Sequence, residues 1–473
     1  MGTDTKEDSG PRFGVRYKQC LLLFSCQFAM YTVVLNVSLA IVAMTDSSKA
    51  NPDFEEFKWN EQTRATILSS FFWGYICSQI PAGTLITKFG CKNILLIGCT
   101  MNALLTLLTP ACVFWGGANA LLAIRITQGI FQGPFYPATH GLIANWAPVN
   151  ERSRFSVLVY PGAQLGTVVA MSTGGQIASS SLGWPGIFYI WGAIGIIWCI
   201  TWWIFGANSP MEHKTISTEE RAYILQAKDE HSIKLPTPWK KMLRSRPFYA
   251  LLIAQTCSTY SFWTINTITP TYLKGVFGVD IRENALLSAV PSIGVFIMSH
   301  VFAVLAKFCT NQLKLSLRFI RILFNTIGFE VPATAMIILG FVTQDHSIIV
   351  AISLLTVAYG ANSAIFFGYY VNHMELCPTH ASILMAVANT IGTSSGIFST
   401  LAVGWLVTDE RNPKQWQIIF GIGAGLFTFA TFVFAFFGRF ENQNWVETTA
   451  QPNSPGKDKG VPNFDSEEAN NSH

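Results

Sequence analysis

Stretches of about twenty predominantly apolar residues recur along this chain of 473 residues, separated by short polar segments. That spacing is the one a bilayer imposes, since roughly 20 helical residues at 1.5 Å each cross its hydrocarbon core. Twelve such spans are expected, at 19–44, 65–86, 93–113, 120–143, 156–180, 186–206, 247–270, 284–305, 322–342, 347–371, 381–407 and 416–438. Between the sixth and seventh the pattern turns polar over 208–246, with a helix-start signal at Ser217-Thr218-Glu219-Glu220 and a basic run at 239–244. Six spans, a hydrophilic linker and six more predict an all-α polytopic membrane protein of two six-helix bundles around a central path. The expected units are an N-terminal segment 1–18, a first bundle 19–207, the linker 208–246, a second bundle 247–439 and a tail 440–473, rich in Asn, Ser, Pro and charge, that reads as disordered.

Composition agrees with the pattern: half the residues are hydrophobic and only 12% are charged, too few to cover a soluble protein of this size. A formal net charge of +4 gives no case for nucleic acid as a partner. The distribution of charge says more. With both termini in the cytosol, 23 Lys and Arg fall on the cytosolic side and seven on the other, the bias expected of short loops. The first eighteen residues hold no short apolar region followed by a cleavage site, so the first span is expected to stay as an anchor. Ten cysteines lie in or beside apolar spans or in cytosolic segments, which argues against a disulfide framework, and no His/Cys cluster has metal-binding spacing. No cofactor or metal is expected, Na⁺ as a coupling ion apart.

One basic residue falls in neither set of loops. Arg125 sits several residues inside the span 121–146, where a cation costs at least ~2.5–3.5 kcal/mol and normally faces the bundle interior. Gln128, Gln132, Tyr136 and His140 follow at i+3, i+7, i+11 and i+15, so one stripe of this helix is polar. Gly129, Gly133, Pro134 and Pro137 interrupt it, as is tolerated beside an aqueous cavity. The expected helix lines a substrate path with a fixed positive charge; the alternative is an arginine snorkelling to the headgroups. The loop Gly83-Thr-Leu-Ile-Thr87-Lys88-Phe-Gly90-Cys-Lys92 resembles the signature loop of the major facilitator superfamily, with Thr87 where its acid usually stands.

Further strings are similar to solute carrier family 17, the phosphate cotransporters, sialin and vesicular glutamate transporters. In the first half they are Ser70-Phe-Phe-Trp-Gly-Tyr75, Gln79-Ile-Pro81, Arg125-x-x-Gln-Gly, Tyr136-Pro-Ala-x-His140, Trp146-Ala-Pro-x-x-Glu-Arg-Ser-Arg154, Tyr160-x-Gly-Ala-Gln164-Leu-Gly-Thr167 and Gly183-Trp-Pro-x-Ile-Phe-Tyr189. In the second half they are Glu283-Asn-x-Leu-Leu-Ser288, Arg321-x-Leu-Phe-Asn-x-Ile-Gly328, Asn372-His-x-x-x-x-Pro378 and Asn389-Thr-x-Gly-Thr393. Their order resembles most the insect inorganic-phosphate branch. The resemblance implies alternating access by two rocking bundles, an anion held near the midplane, and Lys88, Gly90, Lys92, Glu151 and Arg152 in the gating loops.

Departures from the family pattern shape the expected site. Gln128 and Gln132 replace two acids, and an amide cannot carry a proton across. Val34 stands where the first span usually has an arginine, and Ser258 where vesicular glutamate transporters have another. Lys307 takes the place of an acid in the loop after span eight. One buried cation rather than two or three favours a singly charged or partly hydrated anion over a dicarboxylate. Candidate substrate-binding residues are Arg125, Gln128, Gln132, Tyr136, His140, Tyr31, Asn36, Ser258, Tyr260 and Asn362. His140 and Glu330 are candidates for coupling; a packing role for His140 is the competing reading. The hydroxyls and amides of span seven serve an oxyanion, Na⁺ or helix packing equally well.

The expected function is therefore secondary active transport of a small anion, inorganic phosphate or an organic anion, coupled to Na⁺ or driven by membrane potential. A monomer in the plasma membrane, rather than in a vesicular or lysosomal one, is the expected form. The competing class is a non-transporting membrane sensor or adaptor. An enzyme is not expected, because no paired acids and no nucleophile with its base are evident.

Overall fold

A computed structural model describes residues 14–45, 51, 53–148, 151–226, 237–278, 281–343, 345–407, 409, 411–443 and 445. The sequon at Asn470 and nearly all of the tail lie outside them. The described chain is helical, with no strand. Its helices are α1 (Val15–Thr45), α2 (Glu61–Phe89), α3 (Cys91–Gln132), α4 (Phe135–Trp146), α5 (Arg152–Val159), α6 (Pro161–Ser179), α7 (Gly183–Phe205), α8 (Thr218–Gln226), α9 (Trp239–Leu243) and α10 (Arg246–Phe277). They continue as α11 (Ile281–Asn311), α12 (Leu317–Gly340), α13 (Ile348–Asn362), α14 (Tyr369–Leu376), α15 (Ala381–Leu406) and α16 (Pro413–Phe437), with 3-10 turns at Ser363–Phe367 and Pro378–His380.

Among the described residues, nine helical runs are long and apolar enough to cross a membrane. One of them, Cys91–Trp146, has 56 residues. At 1.5 Å per residue it would reach about 84 Å, far beyond a ~30 Å hydrocarbon core, so it has to fold back. It does so at Gly117, whose φ of 56° and ψ of −140° suit only glycine. This is the turn expected between the spans at 93–113 and 120–143. Helix starts are written locally: Asn60, Ser316, Ser347 and Asn412 each accept a backbone N–H of the first turn of α2, α12, α13 and α16.

In the first half α1 packs on α6 and α7, and α3 packs on α2 and α7; in the second, α10 lies on α15 and α16, and α13 on α11 and α12. The halves meet where α15 crosses α2 and α4 and where α11 crosses α6. Trp146, Trp184, Trp202 and Trp416 are fully buried within this packing, whereas Trp203, Ile349 and Phe436 are at least two-thirds exposed. Such an apolar exterior is stable only against lipid.

The helix ends near Arg16, Lys92, Glu151, Glu220, Met374 and Arg439 gather at one face, here called the base. Contacts tie them together: Arg16 with Glu151 and Glu220, Lys92 N–H with Asn208, Arg152 with Met374, and Asn372 with the Arg439 carbonyl.

Candidate functional site

The environment of Arg125 is set by close helix packing. A Cβ on Gly129 would stand 2.0 Å from the Phe71 carbonyl, and one on Gly74 would stand 2.0 Å from that of Ile126. Only glycine lets α2 and α3 approach this far, and the approach brings the Phe71 ring to 4.7 Å from the guanidinium carbon of Arg125. The arginine is 3% exposed, so it is neither at the headgroups nor in lipid. Its Nη1 donates to the Val34 carbonyl at 3.5 Å and to Gln128 Oε1 at 3.3 Å, while Nε is buried without a partner. Gln128 in turn donates to Thr106 Oγ1 at 3.0 Å. Among the described residues no carboxylate pairs with Arg125. The guanidinium thus lies on α1, α2 and α3 of the first half, and Val34 contributes its backbone oxygen where a second cation was expected to be missing.

The stripe continues towards the base beyond the turn at Gly133 and Pro134. Gln132 is buried. Tyr136 shares a hydrogen bond with the Tyr31 hydroxyl and stacks on Tyr160 with centroids 6.0 Å apart. His140 crosses the seam: its Nε2 lies 3.2 Å from the Tyr370 carbonyl and its Nδ1 bonds the Tyr160 hydroxyl. A carbonyl only accepts, so Nε2 carries a proton, while Nδ1 shares its bond with a hydroxyl able to give or take one. His373 stands edge-on to it at 5.4 Å, and Asn389 of α15 donates to the Tyr75 hydroxyl at 3.0 Å. Tyrosines 31, 75, 136, 160 and 370 with the two histidines form a dense layer between Arg125 and the base.

Below that layer lies an ionic network of which sequence reasoning named only Glu151 and Arg152, as gating-loop residues, and missed the partners. Arg152 Nη1 donates to the Met374 carbonyl at 2.7 Å, so the first half ties down the end of α14 in the second. Its neighbour Glu151 pairs with Arg16 at 2.9 Å. Glu220, brought in by α8 with Ser217 as its N-cap, accepts the N–H groups of Val15 and Arg16 and thereby caps α1. In the second half Arg321 binds Glu375 through Nε at 2.8 Å and Nη2 at 2.6 Å, and its Nη1 bonds the Phe367 carbonyl at 3.0 Å. The acid-rich start signal at 217–220 contains Glu220, and the family-like strings contain Glu151, Arg152 and Arg321, whereas Glu375 falls at an unspecified position of the Asn372–Pro378 string.

The remaining candidates are dispersed. Gly90 adopts φ 82° beside Asn208, which accepts the Lys92 N–H at 3.3 Å; Lys92 Nζ reaches the Trp203 carbonyl and Lys88 is exposed. His213, edge-on to Trp146, is held below the ordinary histidine pKa by burial and by Lys18, Lys92 and Arg221, against the pull of Glu220. Asn36 is fully buried with neither side-chain atom partnered. Ser258 is buried against the Tyr369 hydroxyl, and Tyr260 is half-buried on α10. Asn362 donates to the Gly328 carbonyl at 2.9 Å, a bond that joins α13 to α12. Glu330 accepts from Thr428 of α16 at 3.1 Å, with its other oxygen buried and unpartnered. The structure therefore joins Gln128 to Arg125, places Tyr31, Tyr136 and His140 in the layer beneath, and sets Asn362 and Glu330 at helix interfaces of the second half.

Comparison with known proteins places these features in context. The Major Facilitator Superfamily profile matches residues 20–400. A Drosophila melanogaster protein described as "Putative inorganic phosphate cotransporter" is 34% identical over 92% of this chain and 86% of its own length. Sialin of Ovis aries is 33% identical over 91% and 90%, and vesicular glutamate transporter 3 of Danio rerio 35% identical over 87% and 71%. Among solved structures, the transporter FucP in the outward conformation aligns with a TM-score of 0.65 at 15% identity, covering 89% of this chain and 99% of that one. The proton:xylose symporter XylE aligns at 0.66 and 17%, covering 89% and 95%. These two establish the fold alone.

Proposed function

This chain belongs to the major facilitator superfamily and, within it, to the solute carrier family 17 anion transporters, and on that premise we propose that it carries inorganic phosphate or a similarly small anion past Arg125. It is an integral, multi-pass membrane protein and a secondary transporter of anions, not an enzyme. The observation that carries the finer reading is the buried guanidinium without a carboxylate. A charge so placed is costly until an anion joins it, so the site has affinity to offer a negative solute. With Gln128 and Gln132 on the stripe, the site has no acid to exchange protons with, which supports Na⁺ or membrane potential as the driving force. For a potential-driven cycle, one charge crossing 100 mV is worth ~2.3 kcal/mol. The base would face the cytosol together with both termini, in the plasma membrane.

Flux of labelled phosphate into liposomes bearing the full-length protein, under separately imposed Na⁺, H⁺ and voltage gradients, tests this reading. Arg125→Ala is expected to abolish saturable flux while the purified protein keeps its melting temperature. Unchanged flux in that variant would remove Arg125 from the site, and absence of any anion flux in the parent protein would favour a sensor.

A further inference from the structure

A cavity of about 290 Å³ opens at the base between the halves. The α2–α3 loop and the end of α4 wall one side, and the start of α15 walls the other. Its volume is at the lower edge of the range that small-molecule sites occupy, enough for one oxyanion with some of its water. Ser382 lines it. The residue is only 7% exposed, and its hydroxyl has no hydrogen-bond partner among the described residues. A hydroxyl so placed, uncommitted within the protein and opening onto the cavity, can donate to an anion that enters.

The same wall carries Thr379 and the amino end of the 26-residue helix α15, equivalent to about half a positive charge. Lys88 and Glu212 stand on the lining as well, both exposed, and Glu212 is held at 3.5 Å by the Asn208 amide. Their opposite charges are screened alike and nearly cancel. What remains is the helix end and the free hydroxyl, and both favour negative charge.

We propose that this cavity is a second oxyanion site, separate from Arg125, which binds phosphate from the base side and holds the base closed. The closing effect follows from its walls. Lys88 and Asn145 belong to the first half and Ser382 to the second, so the site exists only while the halves are apposed. A ligand that needs both binds that state alone and stabilises it. If the transported anion is phosphate, as argued above, the released solute then slows the next cycle.

Cys91, 6% exposed on the cavity wall, reports occupancy. The full-length Arg125→Ala protein in nanodiscs is treated with N-ethylmaleimide at increasing inorganic phosphate, and Cys91 alkylation is followed by peptide mass spectrometry. At about ten times the dissociation constant the free fraction, and with it the rate, should fall about tenfold. Ser382→Ala in the same background should lose the protection, and Glu212→Gln should shift it to lower phosphate. Protection that is absent, that survives Ser382→Ala, or that glycine gives in place of phosphate would each overturn the proposal. Should Cys91 resist alkylation altogether, calorimetric titration of phosphate into the Arg125→Ala and Arg125→Ala/Ser382→Ala proteins decides the matter, equal heats counting against it. Because Arg125 is already absent, a failure of phosphate transport leaves this result untouched.

Discussion

Arg125 and Gln128 define how the central charge is used. Their 3.3 Å contact gives the guanidinium a neutral amide oxygen and no countercharge. Gln128→Glu would replace the amide oxygen by a carboxylate at the same distance, and the arginine would then be satisfied internally. Anion affinity should fall about tenfold or more, since a charge-assisted hydrogen bond contributes ~1.5–3 kcal/mol. Flux should also depend on pH more steeply than in the parent protein, because the new acid must protonate to release the arginine. Phosphate flux against pH in both proteins checks this; superimposable profiles with unaltered affinity would count against it. The stripe from Arg125 to His140 was readable in the sequence because helical periodicity depends only on local spacing. The backbone oxygen of Val34 was not: a carbonyl carries no side-chain signature, and its approach depends on how tightly two glycines let α2 and α3 pack.

At the level of helices, the pairs at the base join elements that are remote in the chain. Arg321 and Glu375 are 54 residues apart, Arg16 and Glu151 are 135, and Arg16 and Glu220 are 204. A window of twenty residues sees such groups as loop charges, which is why the tenth span was drawn only to 371 and Glu375 was left outside it. Apolar run length, by contrast, located the fold-back between 113 and 120, since hydrocarbon thickness is a constraint each span meets alone. The buried pair has a cost if broken. Glu375→Ala strands a guanidinium that is 4% exposed, and breaking such a pair typically costs ~3–5 kcal/mol. Arg321→Leu/Glu375→Leu removes both charges and should recover most of that loss, although it still deletes the bond to the Phe367 carbonyl. Thermal melting of the purified proteins orders the variants, and a double mutant no more stable than Glu375→Ala would show that the pair is not what holds α12 to α14.

For the whole molecule the decisive quantity is the free-energy difference between closed and open base. Three kinds of contact favour closure: the aromatic layer around His140, the Arg152 bond to Met374, and the apposition of α4 with α15. The last depends on one atom's absence. A Cβ on Gly141 would lie 2.3 Å from Ser382 Oγ and 2.5 Å from Cys91 Sγ, so a methyl group requires those side chains to turn away and a bulky branched residue presses on α15. Gly141→Val should therefore shift the population towards an open base, and Arg152→Ala should do so by a different route. Losing one charge-assisted bond of ~1.5–3 kcal/mol changes the ratio of states by at least about tenfold. Spin labels on Thr87 and Thr379, both exposed and facing each other across the base cavity, report the separation directly. The parent protein should give a narrow short distance, Arg152→Ala a mixture and Gly141→Val mainly the longer one. Identical distance distributions in all three would mean that the seam is closed by forces other than these contacts, and the tyrosine and histidine layer would then have to close it alone.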